Sequence, residues 1–121
     1  MEKNTPNLNL NLIKANQSQK EIDINEALIS FDCVFSRHIK SFSLRTPPKE
    51  IEYGDVYAVP EDPEEGPWTK YPNHIALYFN GWRFFKLKEG FFTWVEDKKA
   101  IFCYAENYWL QLIQEANKTH S

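Results

Sequence analysis

The sequence has no long apolar segment and little glycine. No apolar run approaches the roughly 20 residues that a transmembrane helix needs, so no membrane insertion is expected. The four glycines form neither a phosphate-binding loop nor a nucleophile elbow. The polar, Asn-rich start lacks the basic and apolar regions of a secretory signal. Export by the general secretory route is therefore not expected.

Cysteine and histidine are also scarce, and the 14 basic residues are outnumbered by 17 acidic ones, which argues against most catalytic and nucleic-acid-binding classes. Cys33 and Cys103 form no Cys-x-x-Cys pair and are interpreted as two buried thiols in a reducing compartment. His38 is expected to close a helix and His74 to open a strand, and neither they nor His120 has a partner at metal-ligand spacing. The net charge of −3 does not favour binding to nucleic acid. We therefore expect no enzyme activity, no cofactor and no bound metal.

The chain of 121 residues has the length of one domain. Its composition divides it into an extended polar arm over residues 1–21, an amphipathic helix over 22–38, an antiparallel β domain over 39–113 and a flexible tail over 114–121. No strand–helix–strand unit is visible, so a doubly wound nucleotide-binding fold is excluded. The predicted fold class is mainly β (α+β), with the arm and short helix preceding a small antiparallel β-meander or barrel.

The helix is predicted from apolar residues that recur at helical spacing. Its apolar seam consists of Ile24, Leu28, Phe31 and Phe35, with Ala27 and Val34 beside it. Asp23 and Glu26 have capping-box spacing and are expected to begin the helix. The opposite side is predicted to be polar: Asn25, Glu26, Ser30, Asp32 and Arg37. Because a helix this short is marginal alone, the seam must pack either on the chain's own sheet or on the same helix in other copies.

From Ile39 onward the pattern changes to the period of two that is typical of strands. After an imperfect alternation, five segments are predicted to be strands: Val56–Val59, Ile75–Phe79, Trp82–Phe85, Phe92–Val95 and Ala100–Tyr104. The segment Tyr108–Leu112 is either a further strand or the start of a terminal helix. Asn80-Gly81 is the favoured dipeptide for a two-residue hairpin turn, so the second and third of these strands are expected to pair.

Aromatic residues make up 16% of the chain and lie mostly in the predicted β region. One interpretation is that a thin sheet fills its core with rings and packs its second face on a neighbouring chain. The other is a platform on which a glycan stacks, with Trp68, Tyr71 and Trp82 as the contacting residues. The two interpretations differ in whether these three rings are buried or line an exposed groove.

The order of several short motifs resembles a domain of unknown function that is common in bacteriophage tail fibre proteins and gene-transfer-agent tails. In the first part of the chain the matching residues are Gln17, Gln19, Lys20, Asn25, Glu26, Ala27, Leu28 and Asp32. In the later part they are Pro47, Pro48, Gly54, Asp55, Tyr57, Val59, Gly66, Trp68, Ile75, Ala76, Trp82, Phe84, Gly90, Phe91 and Trp109. The resemblance covers roughly residues 6–110 and is carried by the order of many motifs.

This resemblance implies a non-enzymatic structural protein of a phage or phage-like particle, made in the bacterial cytoplasm and located in the tail of the virion. It implies a homo-oligomer, with a trimer favoured because phage fibres are commonly three-fold. The helix seam of Ile24, Leu28, Phe31 and Phe35 is then the oligomer interface, and other tail or virion proteins are partners. The alternative is a glycan-binding module that contacts the host surface through exposed aromatic residues.

Overall fold

A computed structural model of the chain describes residues 4–12 and 19–112. In chain order the elements are α1 (Gln19–Phe35), β1 (His38–Ile39), β2 (Val56–Ala58), a short 3-10 helix (Gly66–Lys70), β3 (His74–Tyr78), β4 (Trp82–Lys86), β5 (Phe92–Val95), β6 (Ala100–Ala105) and β7 (Tyr108–Gln111). The predicted flexible tail over residues 114–121 and His120 lie outside the described residues. All five predicted strand segments occur within one or two residues of their expected bounds, and the segment from Tyr108 is a strand.

The strands form two sheets. β2, β3 and β4 form a three-stranded antiparallel sheet, and β1, β5, β6 and β7 form a four-stranded sheet in that order. β1 runs parallel to β5, with His38 paired to Trp94, whereas the other neighbouring strands are antiparallel. The mainly β fold with one helix is confirmed, but the sheets do not close into a barrel.

Strands β2 and β3 of the three-stranded sheet are buried on both faces, whereas the edge strand β4 is half-buried to exposed. One face packs in the main core, where Val56 and Leu77 meet residues of the four-stranded sheet and of α1. The other face packs in a second cluster, in which Tyr57 and Ala76 lie against Trp68 of the 3-10 helix. A strand that is covered on both faces needs apolar side chains at successive positions. This explains why these strands carry continuous apolar runs instead of strict alternation.

Helix α1 is longer at its start than the residue pattern predicts. It begins at Gln19, so Asp23 and Glu26 lie inside it, and the expected capping box at its first turn is wrong. The helix ends at Phe35, and Arg37 then adopts a left-handed backbone with φ 54°. His38 therefore belongs to β1 and does not close the helix.

The side of α1 that packs on the domain is not the predicted seam. Over residues 24–35, the part of the helix whose burial is described, the buried residues are Ile29, Asp32 and Cys33, of which Ile29 and Cys33 join the main core. Asp32 was expected on the solvated polar side and is instead fully buried. The seam residues lie largely outside: Ile24, Phe31 and Phe35 are 44%, 54% and 54% exposed, and Leu28 is half-buried. The helix therefore packs on its own domain and leaves the seam uncovered within the described chain.

Residues 4–12 form a compact turn rather than an extended arm. The amide of Thr5 donates to the Leu10 carbonyl at 2.9 Å, and a bridge joins Asn4 to Asn11. The buried carboxylate of Asp32 fastens this turn to α1 by accepting three hydrogen bonds. The donors are the Thr5 hydroxyl at 2.9 Å, the Asn7 amide at 2.7 Å and the Leu8 amide at 2.6 Å. One helix side chain thus supplies the acceptors that this backbone segment requires.

The hairpin at Asn80-Gly81 forms as predicted but is one residue longer. Both residues have positive φ, 51° and 103°. The last paired positions are Tyr78 and Trp82, so three residues connect β3 and β4. The two-residue turn occurs instead between β6 and β7, where Glu106 and Asn107 have φ 53° and 67°.

Candidate functional site

The three aromatic residues predicted to contact a glycan are brought together, but they pack mainly on one another and on their neighbours. Trp68 is 0% exposed, which corrects its assignment as a ligand-contacting residue. Its ring lies edge-to-face against Trp82, with centroids 5.4 Å apart. Tyr71 is 37% exposed and stacks flat on Phe84 at a centroid distance of 3.9 Å. Trp82 is half-buried. These rings belong to the second cluster or pack against it, and among the three candidates only the Tyr71 ring keeps a substantial exposed face.

The predicted helix seam forms an exposed apolar stripe, here called the helix stripe: Ile24, Ala27, Leu28, Phe31 and Phe35. Phe31 and Phe35 stack with their centroids 5.1 Å apart. The exposed parts of the three large residues Ile24, Phe31 and Phe35 amount to about 300 Å² if a large apolar side chain has about 200 Å² of surface. Apolar area of this kind in one stripe is typical of a contact surface rather than of a solvated helix face.

A second exposed apolar surface lies on the four-stranded sheet and is here called the outer sheet face. It consists of the outward residues of three strands and the residue after β7: Phe92, Trp94, Ile101, Cys103, Ala105, Tyr108, Leu110 and Leu112. The residues between them point to the core, as the buried Thr93, Val95, Phe102 and Tyr104 show. The sequence contains the signal for this surface, because the outward positions of β5 and β6 are uncharged and mostly apolar even though the inward positions are also mostly apolar.

Cys103 lies on the outer sheet face and is half-buried, so the expectation of two fully buried thiols holds only for Cys33. Both cysteines are free. Burial, together with the nearby carboxylates of Asp32 and Asp55, raises the pKa of Cys33 to about 12. At neutral pH the Cys33 thiol is therefore protonated and unreactive.

A polar cleft of about 250 Å³ lies between the start of β1, the start of β2 and the end of β5. Lys40 Nζ is 3.8 Å from Asp55 Oδ1 and 3.9 Å from Glu96 Oε1, and His38 Nε2 donates to Glu96 Oε1 at 2.9 Å. The hydrogen bond from His38, helped by the charge of Lys40, holds the pKa of Glu96 below its ordinary value. Sequence reasoning missed this cleft because its residues come from the ends of three strands and from the N-terminal turn, where Asn7 lies, and form no local motif.

The charges in the cleft are arranged as a chain of pairs. Each carboxylate has a cationic or imidazole partner within 4.0 Å, which is typical of a structural ion-pair network across strands. Within residues 4–12 and 19–112, no group of three or more His, Cys, Asp or Glu residues is arranged to hold a metal ion. In the same part of the chain, no helix combines the length and apolar character needed to cross a membrane.

Comparison with family models matches residues 24–110 to a family described as a protein of unknown function, DUF2793. The chain belongs to this family. The match confirms one part of the expected resemblance, namely that the chain contains a domain of unknown function. A comparison with curated proteins finds no match.

The DUF2793 match spans most of both apolar surfaces. It begins at Ile24, the first residue of the helix stripe, and ends at Leu110 on the outer sheet face. The N-terminal turn of residues 4–12 lies before the match. The two uncovered surfaces therefore lie largely within the matched part of this chain.

Proposed function

We propose that this DUF2793 chain is a non-enzymatic structural protein of a phage or phage-like particle, a tail fibre or attachment module that acts as a homo-oligomer. A trimer is the favoured assembly, with the helices near its axis. Its proposed location is the tail of the virion, and its other partners are neighbouring tail or virion proteins. The phage context rests on the resemblance of the sequence motifs, and the oligomer rests on the helix stripe.

The observation that carries the oligomer is the orientation of α1. The helix already packs on its own domain through Ile29 and Cys33, so its stability does not require the helix stripe. Yet Phe31 and Phe35 are each 54% exposed and stack on each other. Covering such an apolar stripe with the same stripe of other copies removes it from water, as in a bundle of parallel helices. This supports a contact between copies along α1.

The polar cleft supports the non-enzymatic part of the proposal. Its charged groups are paired with one another, as in a network that joins strands. Lys40 lies between Asp55 and Glu96. A catalytic acid or base needs to reach a substrate, whereas these groups reach each other.

The alternative, a glycan-binding module, has weaker geometric support. Of its three candidate rings, Trp68 is buried and Trp82 is half-buried. Tyr71 is exposed but packs flat on Phe84. A sugar platform would need several rings with free faces and polar groups that reach the hydroxyls. If the chain binds a host polysaccharide, the tryptophan emission should change when the polysaccharide is added.

The test of the oligomer is the mass of the purified chain by size-exclusion chromatography with light scattering. We expect the wild type to have a mass that is a multiple of three chains. In Phe31→Asp each helix stripe carries a charge that would be buried unpaired in the contact, so the three-fold association should be lost. Since Phe31 is exposed, the circular dichroism and thermal unfolding should remain those of a folded domain.

Phe31→Leu is the matched control, because it keeps an apolar side chain at the same position and should retain the wild-type mass. A wild type that is monomeric at micromolar concentration contradicts the proposed oligomer. So does a Phe31→Asp variant that keeps the wild-type mass. The particle context is tested by mass spectrometry of purified particles, which should contain the chain.

A further inference from the structure

The outer sheet face is a continuous apolar surface ordered by the strand register. One row runs across the sheet from Phe92 to Cys103 and Leu110, since these residues are paired in turn. A second row contains Trp94 and Ile101, and the amide of Leu112 donates to the Ile101 carbonyl at 2.9 Å, which extends the row.

The third row consists of Ala105 and Tyr108. Paired residues point to the same side of a sheet, so the three rows form one surface.

This surface differs from the outer face of an ordinary two-layer fold. An antiparallel sheet that faces water on one side alternates apolar and polar residues. In these three strands the core-facing positions are apolar except for Thr93 and Gln111, and none of the outward positions carries a charge or an amide. Uncovered apolar surfaces of this extent mark contact sites.

The size of the surface fits a protein partner. Six of its side chains are between 36% and 68% exposed. Their exposed parts amount to on the order of 600 Å², with about 200 Å² for each large side chain. This approaches the roughly 800 Å² that each partner contributes to a standard interface. The helix stripe, at about 300 Å², offers only half as much.

The shape of the surface fits a second copy of the same face. The central strand β6 presents the small residues Cys103 and Ala105, while the neighbouring strands present large ones such as Phe92 and Tyr108. This leaves a trough along part of β6 between two ridges. Two such faces related by a two-fold axis can place the ridge of one in the trough of the other, as packed sheets do at a spacing of about 10 Å.

The chemistry of the outer sheet face disfavours the two other candidate ligands, a glycan and an anionic membrane surface. A glycan requires several partners for its hydroxyl groups, and the polar side-chain groups among the outward residues are limited to the Trp94 indole N–H, the Tyr108 hydroxyl and the Cys103 thiol. An anionic membrane surface attracts clusters of Lys and Arg, and the chain carries a net charge of −3. Polar groups stand at the rim, where His38 is paired with Glu96 and the Arg37 guanidinium lies 4.3 Å from the centre of the Phe92 ring. An apolar centre with a polar rim is the common pattern of protein interfaces.

We propose that the outer sheet face is the contact between two copies of this chain, which pack sheet against sheet about a two-fold axis. This inference rests on the proposed homo-oligomer and adds a second contact to it. The helix stripe associates three copies, and the sheet contact joins copies in pairs. Together they give a wild-type assembly of six chains, and each contact can be broken separately.

The test compares two charged substitutions by light scattering. In Leu110→Asp a charge is placed on the outer sheet face, and we expect the mass to fall by half, from six chains to three. In Phe31→Asp the sheet contact remains, and we expect two chains. Gln111→Asp is the matched control, because Gln111 is exposed on the same strand but alternates to the other face, so this variant should keep the wild-type mass.

The outcomes separate this inference from the proposed function. If Phe31→Asp lowers the mass and Leu110→Asp does not, the helix contact stands and the sheet contact is overturned. If only Leu110→Asp lowers it, the sheet contact stands and the helix seam fails. If the wild type is monomeric, both fail. Leu110→Asp should retain its circular dichroism spectrum, since Leu110 is 52% exposed.

A second readout uses the thiol on the proposed contact. Cys103 is half-buried in the single chain and becomes covered when two sheets pack. The rate at which a thiol reagent labels Cys103 should therefore fall with rising protein concentration, in proportion to the unassociated fraction. In Leu110→Asp the rate should not depend on concentration. A wild-type rate that is independent of concentration and as fast as that of Leu110→Asp overturns the inference.

Sedimentation with vesicles of phosphatidylcholine and phosphatidylglycerol tests whether the outer sheet face binds a membrane. We expect the wild type not to sediment with them, because its apolar face is covered by the second copy. Sedimentation that is lost in Leu110→Asp would assign the outer sheet face to a membrane instead and would overturn the proposal.

Discussion

The N-terminal turn depends on a single buried carboxylate, and replacing Asp32 by Asn tests this directly. Asp32 accepts hydrogen bonds from the Thr5 hydroxyl and from the amides of Asn7 and Leu8. Asn at this position keeps one acceptor oxygen, which can serve Thr5 and Leu8. Its NH₂ group then faces the amide donor of Asn7. The charge-assisted hydrogen bond from Asn7 is lost, and those from Thr5 and Leu8 are weakened because their acceptor is no longer charged. The Asn7 amide and the new NH₂ group are both donors and repel each other.

A hydrogen bond to a charged group contributes about 1.5–3 kcal/mol, so Asp32→Asn should cost at least about 2 kcal/mol. At roughly 4 °C per kcal/mol for a domain of this size, the melting temperature should fall by about 8 °C. Hydrogen exchange measured by NMR should show lost protection of the Asn7 and Leu8 amides, because their acceptor is altered. Urea denaturation supplies the free energy of unfolding.

The control is Asp97→Asn, which makes the same chemical change at an exposed position. It should leave the melting temperature within about 1 °C of the wild type, since exposed substitutions change stability little. If Asp32→Asn is as stable as this control and the two amides stay protected, the carboxylate does not hold the turn. The account of residues 4–12 is then wrong.

Two further predictions concern the thiols and the turns. In the Leu110→Asp variant at neutral pH, a thiol reagent should label Cys103 and leave Cys33 unlabelled until the chain unfolds, because burial raises the pKa of Cys33 to about 12; labelling of both in the folded protein would contradict this. Gly81→Ala should cost about 1 kcal/mol through its positive φ alone, as no atom lies within 4 Å of the new Cβ. Gly54→Ala should cost more, since its Cβ would also meet a proline ring at 3.0 Å; equal melting temperatures for the two variants would refute the distinction.

The strands were predictable because their signals are local. Alternation and turn residues define a strand within its own few positions, so the bounds of β3 and β5 differ from the prediction by one residue or less. Pairing between distant segments has no such local signal. The parallel pairing of β1 with β5 joins His38 to Trp94, and no residue pattern near either one indicates it.

For the helix, too, the local residue pattern predicts the element but not its tertiary contacts. Its periodicity predicts a helix, but apolar residues occur on more than one side, so periodicity does not identify the side that faces the domain. Ile29 and Cys33 are buried, and Phe31 is exposed. Asp32 is a charged residue of the kind that usually faces solvent. Its role as the acceptor for the N-terminal turn is visible only once residues 4–12 are folded against it. Trp68 is likewise buried because the short 3-10 helix turns it into the second core.

We propose that the chain associates with copies of itself through its uncovered apolar surfaces. The most direct test is the mass of the wild-type chain by light scattering at micromolar concentration, without any substitution. We expect six times the 14.3 kDa of one chain, or three times that mass if the helix contact alone forms. A mass of one chain would contradict the claim.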